Sequence, residues 1–95
     1  MNTIEILVKA LRKCAEAHKV EFLDNRMDDY NSVAIKSVTV PVVADVRTIV
    51  SACGGSMDDI NTDWGMTEVD FDFIPMDYPV NMEYLKTALP VGTEI

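Results

Sequence analysis

The sequence predicts an α+β domain, built from two amphipathic helices and a four-stranded, mainly antiparallel sheet. Three observations predict it. Apolar residues recur at helical spacing in two separate stretches, Ile4 to Ala15 and Val43 to Cys53. Two other stretches, "SVAIKSVTV" (residues 32–40) and "TEVDFDF" (residues 67–73), alternate apolar with polar residues, as half-buried strands do. Gly, Pro, Asn and Asp stand between these stretches, where a chain turns.

The elements follow in order. Asn2 with Glu5 forms a capping-box pattern, and Ile4, Leu7, Val8, Leu11, Cys14 and Ala15 then make one stripe, which predicts a helix from Thr3 to Ala17. Its other face carries Glu5, Lys9, Arg12, Lys13 and Glu16, with Glu5–Lys9 and Arg12–Glu16 one helical turn apart, as a solvated face does. A strand from Val20 to Arg26 and a polar turn at Asp28 to Asn31 come next. The second strand passes through Val33 and Ile35 and continues to Val38 and Val40 after a bulge near Ser37. Pro41 stops it and suits the first turn of a second helix, Val42 to Cys53, which Gly54-Gly55 end in a left-handed cap. "MDDINTDWGM" and "MTEVDFDFI" read as the arms of a hairpin that turns at Asp63-Trp64-Gly65 and is halted by Pro75. Asn81 caps a short helical piece closed by Pro90, and the tail, residues 90–95, is expected to fray. The order αββαββ(α), with two helices on one face of the sheet, is what circular permutation of a ferredoxin-like βαββαβ sheet would give.

At 95 residues, 48% apolar and 25% charged, the chain is long enough for a single core and too apolar for intrinsic disorder. It holds no run that could span a membrane. Its start, "MNTIEILVKAL", lacks the basic-then-apolar order of a secretory signal, so a cytoplasmic protein is expected. Cys14 and Cys53 lie far apart on the apolar faces of the two helices and form no CxxC, which suits reduced core thiols rather than a disulfide or a zinc site.

The net charge of −8 is unevenly spread. Residues 1–47 hold seven bases and seven acids, whereas residues 48–95 hold one base and nine acids. From Thr48 to Leu85 there is no Lys or Arg. Such a field repels nucleic acid and anionic membranes and attracts cationic protein surfaces or metal ions. The basic face of the first helix, Lys9, Arg12 and Lys13, is the group that could neutralise it, within one molecule or across a homodimer.

In "TEVDFDF" the alternation predicts one outward row, Glu68, Asp70 and Asp72, with Val69, Phe71 and Phe73 entering the core. Acids on such a strand can protect a sheet edge from aggregation. They can also stand in for the phosphates of a nucleic-acid backbone and fill a groove lined with Lys and Arg, with Asp58, Asp59, Asp63 and Asp77 extending the track. Trp64 at the hairpin tip supplies an apolar anchor beside them.

Two other patterns bear on metals. Asp59, Asn61, Asp63 and Asp70 stand at positions 1, 3, 5 and 12 of a stretch that resembles the calcium loop of EF-hand and dockerin modules. It departs from that pattern in having Trp64 where the loop has glycine, and a strand-like "FDFIP" where a helix should follow. Asp70-x-Asp72 is a two-carboxylate pattern used by metal-dependent transferases and nucleases, but such sites need further ligands. The only histidine, His18, falls at the end of the first helix, where a partly charged, solvated imidazole is expected. Cys14 and His18 are one turn apart, but an apolar-face cysteine at a helix C-terminus lacks the positive field that makes a thiolate.

The expected function is therefore binding without chemistry. The chain reads as an acidic inhibitor, with no cofactor, metal or catalytic residue, that docks through Asp63, Trp64, Glu68, Asp70, Asp72 and Asp77 on a basic nucleic-acid-binding protein. By analogy of size and charge with phage proteins, the sharpest form is a nucleic-acid mimic blocking a nuclease, restriction enzyme or CRISPR effector. The alternatives are a calcium-binding module through Asp59–Asp70 and a housekeeping domain that only self-associates, whose binding would be insensitive to salt.

Overall fold

The computed structural model describes residues 1–26 and 31–95. Helix α1 (Thr3–Ala17) leads into strands β1 (Phe22–Asp24) and β2 (Ser32–Ile35), and helix α2 (Val40–Ala52) into strands β3 (Ile60–Asp63) and β4 (Met66–Asp70). A single turn, α3 (Met82–Lys86), completes the chain. The sheet order is β1-β2-β4-β3, and every neighbouring pair is antiparallel. Strands β2 and β3 therefore run parallel to each other with β4 inserted between them and α2 as the crossover, a split βαβ unit consistent with the permuted ferredoxin-like arrangement. The turn expected at Asp28 to Asn31 falls, but for Asn31, outside the described residues.

Both helices pack on one face of this sheet. Leu7, Leu11 and Cys14 of α1 and Val42, Val46, Ile49 and Val50 of α2 meet Val33, Ile35 and Val69 in one core, with Phe71, Ile74 and Leu85 closing its rim. The Cα radius of gyration, 11.8 Å, is close to the roughly 12.4 Å expected of a compact domain of this length. Arg12 ties α1 to β1, its guanidinium lying 4.6 Å from the centre of the Phe22 ring and 3.5 Å from Asp24. Arg26 forks onto the same carboxylate, and these hydrogen bonds hold Asp24 below the ordinary carboxylate range.

The helix ends show how local chemistry writes the boundaries. The Asn2 side chain accepts the Glu5 N–H at 2.9 Å and starts α1 as expected. At the other end Lys19 N–H donates to the Glu16 carbonyl and Val20 N–H to that of Ala15, a Schellman cap. Helix α2 ends in the same way, with Gly54 donating to Ser51 and Gly55 to Val50. The two caps differ in the residue at the left-handed position: Gly54 (φ 86°) in one, Lys19 (φ 57°) in the other. A side chain costs about 1 kcal/mol there. Lys19→Gly is accordingly expected to raise the thermal midpoint by about 4–8 °C, measured by calorimetry.

Several boundaries differ from expectation. Strand β1 spans Phe22–Asp24 rather than Val20 to Arg26, because the Val20 N–H is used in the α1 cap and the Arg26 N–H turns back onto the Asp24 carboxylate, and Met57–Asp59 form a 3-10 turn ahead of β3 rather than part of the strand. Strand β2 stops at Ile35, because its partner β4 begins only at Met66, after the hairpin turn, and leaves no ladder for Val38 or Val40. Ser37 instead turns the chain, its N–H donating to the Ile35 carbonyl while its own carbonyl accepts the buried Thr67 hydroxyl at 2.5 Å. Helix α2 then starts two residues early, at Val40. Strand β4 ends at Asp70, whose carboxylate accepts the Asp72 N–H at 3.0 Å and opens a turn that brings Ile74 N–H onto the Phe71 carbonyl. The turn breaks the alternation: Phe73, expected in the core, is 85% exposed, and Ile74 is buried in its stead. The tail expected to fray ends with a turn at Pro90–Thr93 and with Ile95 against the core.

Candidate functional site

Register assigns each residue of the sheet to a face. Opposite pairs Ile35↔Thr67 and Val33↔Val69 point to the helices, so Ala34, Ser32, Glu68, Asp70, Asn61 and Asp63 belong to the other face, which no helix among the described residues covers, although Ala34 and Ser32 on it are buried and Glu68 is half-buried. Glu68 stands directly between Ala34 and Asn61, and Asp70 opposite Ser32. Neither meets a charge across the strand. Strand β4 is interior, between β2 and β3, so protection of a sheet edge is not what its acids do; β1 and β3 are the edge strands.

The six residues expected to form one site fall into three groups. Asp63 and Trp64 sit at the hairpin tip, and Glu68 and Asp70 on the open face about 6.8 Å apart along the strand. Asp72 leaves the row at the turn: its carboxylate accepts from the Asn31 side-chain amide and borders a cleft with Asn2, Glu5 and Arg26. Asp77 is near the same end of α1, beside Asn2 and Thr3. The last two lie by the positive pole of the α1 dipole, a favourable place for carboxylates. The outward row of three is thus a row of two.

Among the described residues, the ion pairs are Arg12 and Arg26 with Asp24, Lys13 with Glu16, Lys36 with Glu21, and His18 with Asp45. Every acid in them precedes Arg47, and no acid of the second half is included. Arg12 and Lys13 are occupied on the helix side of the sheet, so within one molecule they do not neutralise Glu68 and Asp70.

The hairpin tip is made by Trp64 (φ 55°) and Gly65 (φ 73°), two left-handed residues in succession between β3 and β4. This is the type I′ turn whose twist matches antiparallel strands, and its first position ordinarily takes Asn, Asp or Gly. A tryptophan there is conformationally unfavourable. It is also 88% exposed, its backbone N–H held by the Asp63 carboxylate at 2.9 Å. Nothing in the core requires it. Beside it a cleft of about 450 Å³ runs between the hairpin and α2, bordered by Val38, Val40, Val43 and Arg47. On the far side of Arg47 a second cleft includes Met57, Ile60 and Tyr84. Val38 and Val40, which alternation alone placed in a strand, are 47% and 82% exposed and line the first cleft. The result is a mixed surface around Arg47, in which Val38, Val40, Val43 and Trp64 stand beside Thr62 and Asp63.

The stretch Asp59–Asp70 does not form a calcium loop. Asp59 ends a 3-10 turn, where its carboxylate accepts the Ser56 N–H, and Asn61 and Asp63 follow on an extended strand. A ribbon spreads such ligands rather than gathering them. Among the described residues its acids do not converge as a group of three.

A different group does converge. His18, expected to be solvated, caps α1 with its ring Nε2 2.8 Å from Asp45 Oδ2 of α2. Cys14, one turn earlier, completes a trio in which one donor atom of each residue lies within 4.8 Å of the others. Cys14 and Cys53 are both free and fully buried, as expected, and burial pushes each thiol up to about 12. A thiol so held is protonated and is not an activated nucleophile. Sequence reasoning paired Cys14 with His18 but missed Asp45. The only signal was a lone acid beside the apolar stripe of the second helix.

Compared with models of known protein families, with curated proteins and with solved structures, the chain matched none. No helix among the described residues is long and apolar enough to cross a membrane.

Proposed function

We propose that this protein acts by binding, without chemistry, and that its acidic open face and hairpin tip dock on a cationic protein surface that otherwise holds nucleic acid. The observation that carries the reading is Trp64: exposed, held in a conformation that favours other residues, and set beside Asp63 at the margin of acids that take part in no ion pair among the described residues. Buried aromatic anchors dominate interface energies, and charge complementarity steers and orients the encounter. Glu68, Asp70 and Asp63 would pair with Lys and Arg of the partner, while Trp64 with Val38 and Val40 would supply contact area. The mode is competition for a phosphate-binding groove, as an inhibitor of a nuclease, restriction enzyme or CRISPR effector would use.

The test is capture from a cell lysate at low and high salt, followed by competition between this protein and nucleic acid for whatever basic protein is retained. Wild type is expected to retain a nucleic-acid-binding protein at low salt, to release it at high salt, and to displace its nucleic acid. Reversing Glu68 and Asp70 together to Lys is expected to weaken that competition at least about tenfold, because like charges then face each other across the interface. Both side chains point away from the core, so the circular dichroism spectrum should stay as in wild type. Capture that survives the reversal, or a captured protein still bound to its nucleic acid, would refute the decoy reading.

A further inference from the structure

The trio at the junction of the two helices is independent of the acidic face. We propose that Cys14, His18 and Asp45 form a binding site for one divalent transition-metal ion of the zinc class. Helix α1 presents Cys14 and His18 one turn apart on the side facing α2, and α2 brings Asp45 to meet them. Thiolate, imidazole and carboxylate are the donors that zinc accepts, and three protein ligands leave a fourth position open.

The distances are those of a site ready to close. Zinc bonds of about 2.0–2.3 Å in a tetrahedron put ligand atoms roughly 3.3–3.8 Å apart. The Nε2–Oδ2 separation is 2.8 Å and no pair in the trio exceeds 4.8 Å. Side-chain shifts of about an ångström therefore suffice. Access is also suitable: Cys14 is fully buried, while the side chains of His18 and Asp45 are 25% and 33% exposed. The ion would enter past the imidazole and carboxylate, with its open position toward solvent. The C-terminal pole of α1, where His18 is the cap, adds partial negative charge that favours a cation.

Binding exchanges one set of bonds for another. The ion forms a bond to Cys14 Sγ and the thiol proton leaves to solvent. His18 gives up the Nε2–H that it donates to Asp45: that proton leaves Nε2 through solvent, the ring keeping its proton on Nδ1, so that Nε2 presents a lone pair to the ion, and the freed carboxylate takes the third place.

Cobalt(II) chloride is the probe, added to the reduced protein. A thiolate-to-cobalt charge-transfer band in the near ultraviolet is expected to saturate at one ion per chain and to be displaced by zinc chloride. Cys14→Ala should lose the band and Cys53→Ala should keep it. His18→Asn and Asp45→Asn should each weaken cobalt binding by at least about tenfold. The absence of a band in wild type, its persistence in Cys14→Ala, or its loss in Cys53→Ala would overturn the assignment. If Cys14→Ala does not fold by circular dichroism, the two surface variants decide: unchanged affinity in both would overturn it equally.

Discussion

Trp64→Asn is expected to make the protein more stable and, in the same molecule, to cost it its partner. The two effects have separate causes. Trp64 holds the first position of a type I′ turn at φ 55°, where a bulky side chain is unfavourable and asparagine is the preferred residue. Because the indole is 88% exposed, its removal leaves no cavity. The gain should be about 1 kcal/mol, or about 4–8 °C in the thermal midpoint of a domain this small. Binding should move the other way. A central aromatic anchor is typically worth about 2 kcal/mol or more, so the inhibition constant against nucleic acid should rise at least about thirtyfold. Calorimetry and the competition assay on one preparation give both numbers. A variant that loses stability would show that the indole supports the fold, and one that competes as well as wild type would remove Trp64 from the interface.

Gly54→Ala is expected to be strongly destabilising. Gly54 occupies the left-handed position of the α2 cap at φ 86°, and a Cβ placed there would lie 2.6 Å from the Tyr78 ring. The Tyr78 backbone is held in place, its carbonyl accepting the Thr3 hydroxyl at 2.6 Å, so room for the methyl must come from rotating the ring away from the α2 cap. Backbone strain and displacement of the ring together should cost about 2–4 kcal/mol, a fall of about 10–25 °C in the midpoint. Gly65→Ala is the internal control. Its φ is 73° and a Cβ there meets nothing within 4 Å, so the conformational term alone, about 1 kcal/mol, is expected. Equal losses in the two variants would mean that the Tyr78 contact adds nothing.

The parts of the fold that were legible in the chain are those governed by neighbours in sequence. Helix α1 begins and ends where the Asn2 cap and the apolar stripe place it, and Gly54 caps α2 in the left-handed conformation that its sequence position implied. The hairpin turns at Asp63-Trp64-Gly65 as read. The misreadings in β2 and β4 share a cause. Val38 and Val40, and Phe73 at the other end, continue a regular alternation, but a strand persists only while a partner lies beside it. Strand β4 starts too late to extend β2, and the Asp70 carboxylate turns the chain before Phe73. Alternation records which residues are apolar; it does not record where a ladder runs out.

The candidate site divides along the same line. Charge segregation, an acidic second half and an aromatic at a turn can all be read from composition and local pattern, because they need no knowledge of what lies across the molecule; that Trp64 is exposed rather than folded over the core only the tertiary structure shows. Whether those acids are neutralised depended on which face of the sheet the basic helix covers, and α1 packs opposite Glu68 and Asp70. That β4 is interior, that Asp72 leaves the row, and that Asp45 arrives beside Cys14 and His18 are likewise matters of long-range packing. Residues 27 or more positions apart are brought together only when the apolar stripes of α1 and α2 are buried against one sheet, and hydrophobic burial is blind to which polar side chains it carries along.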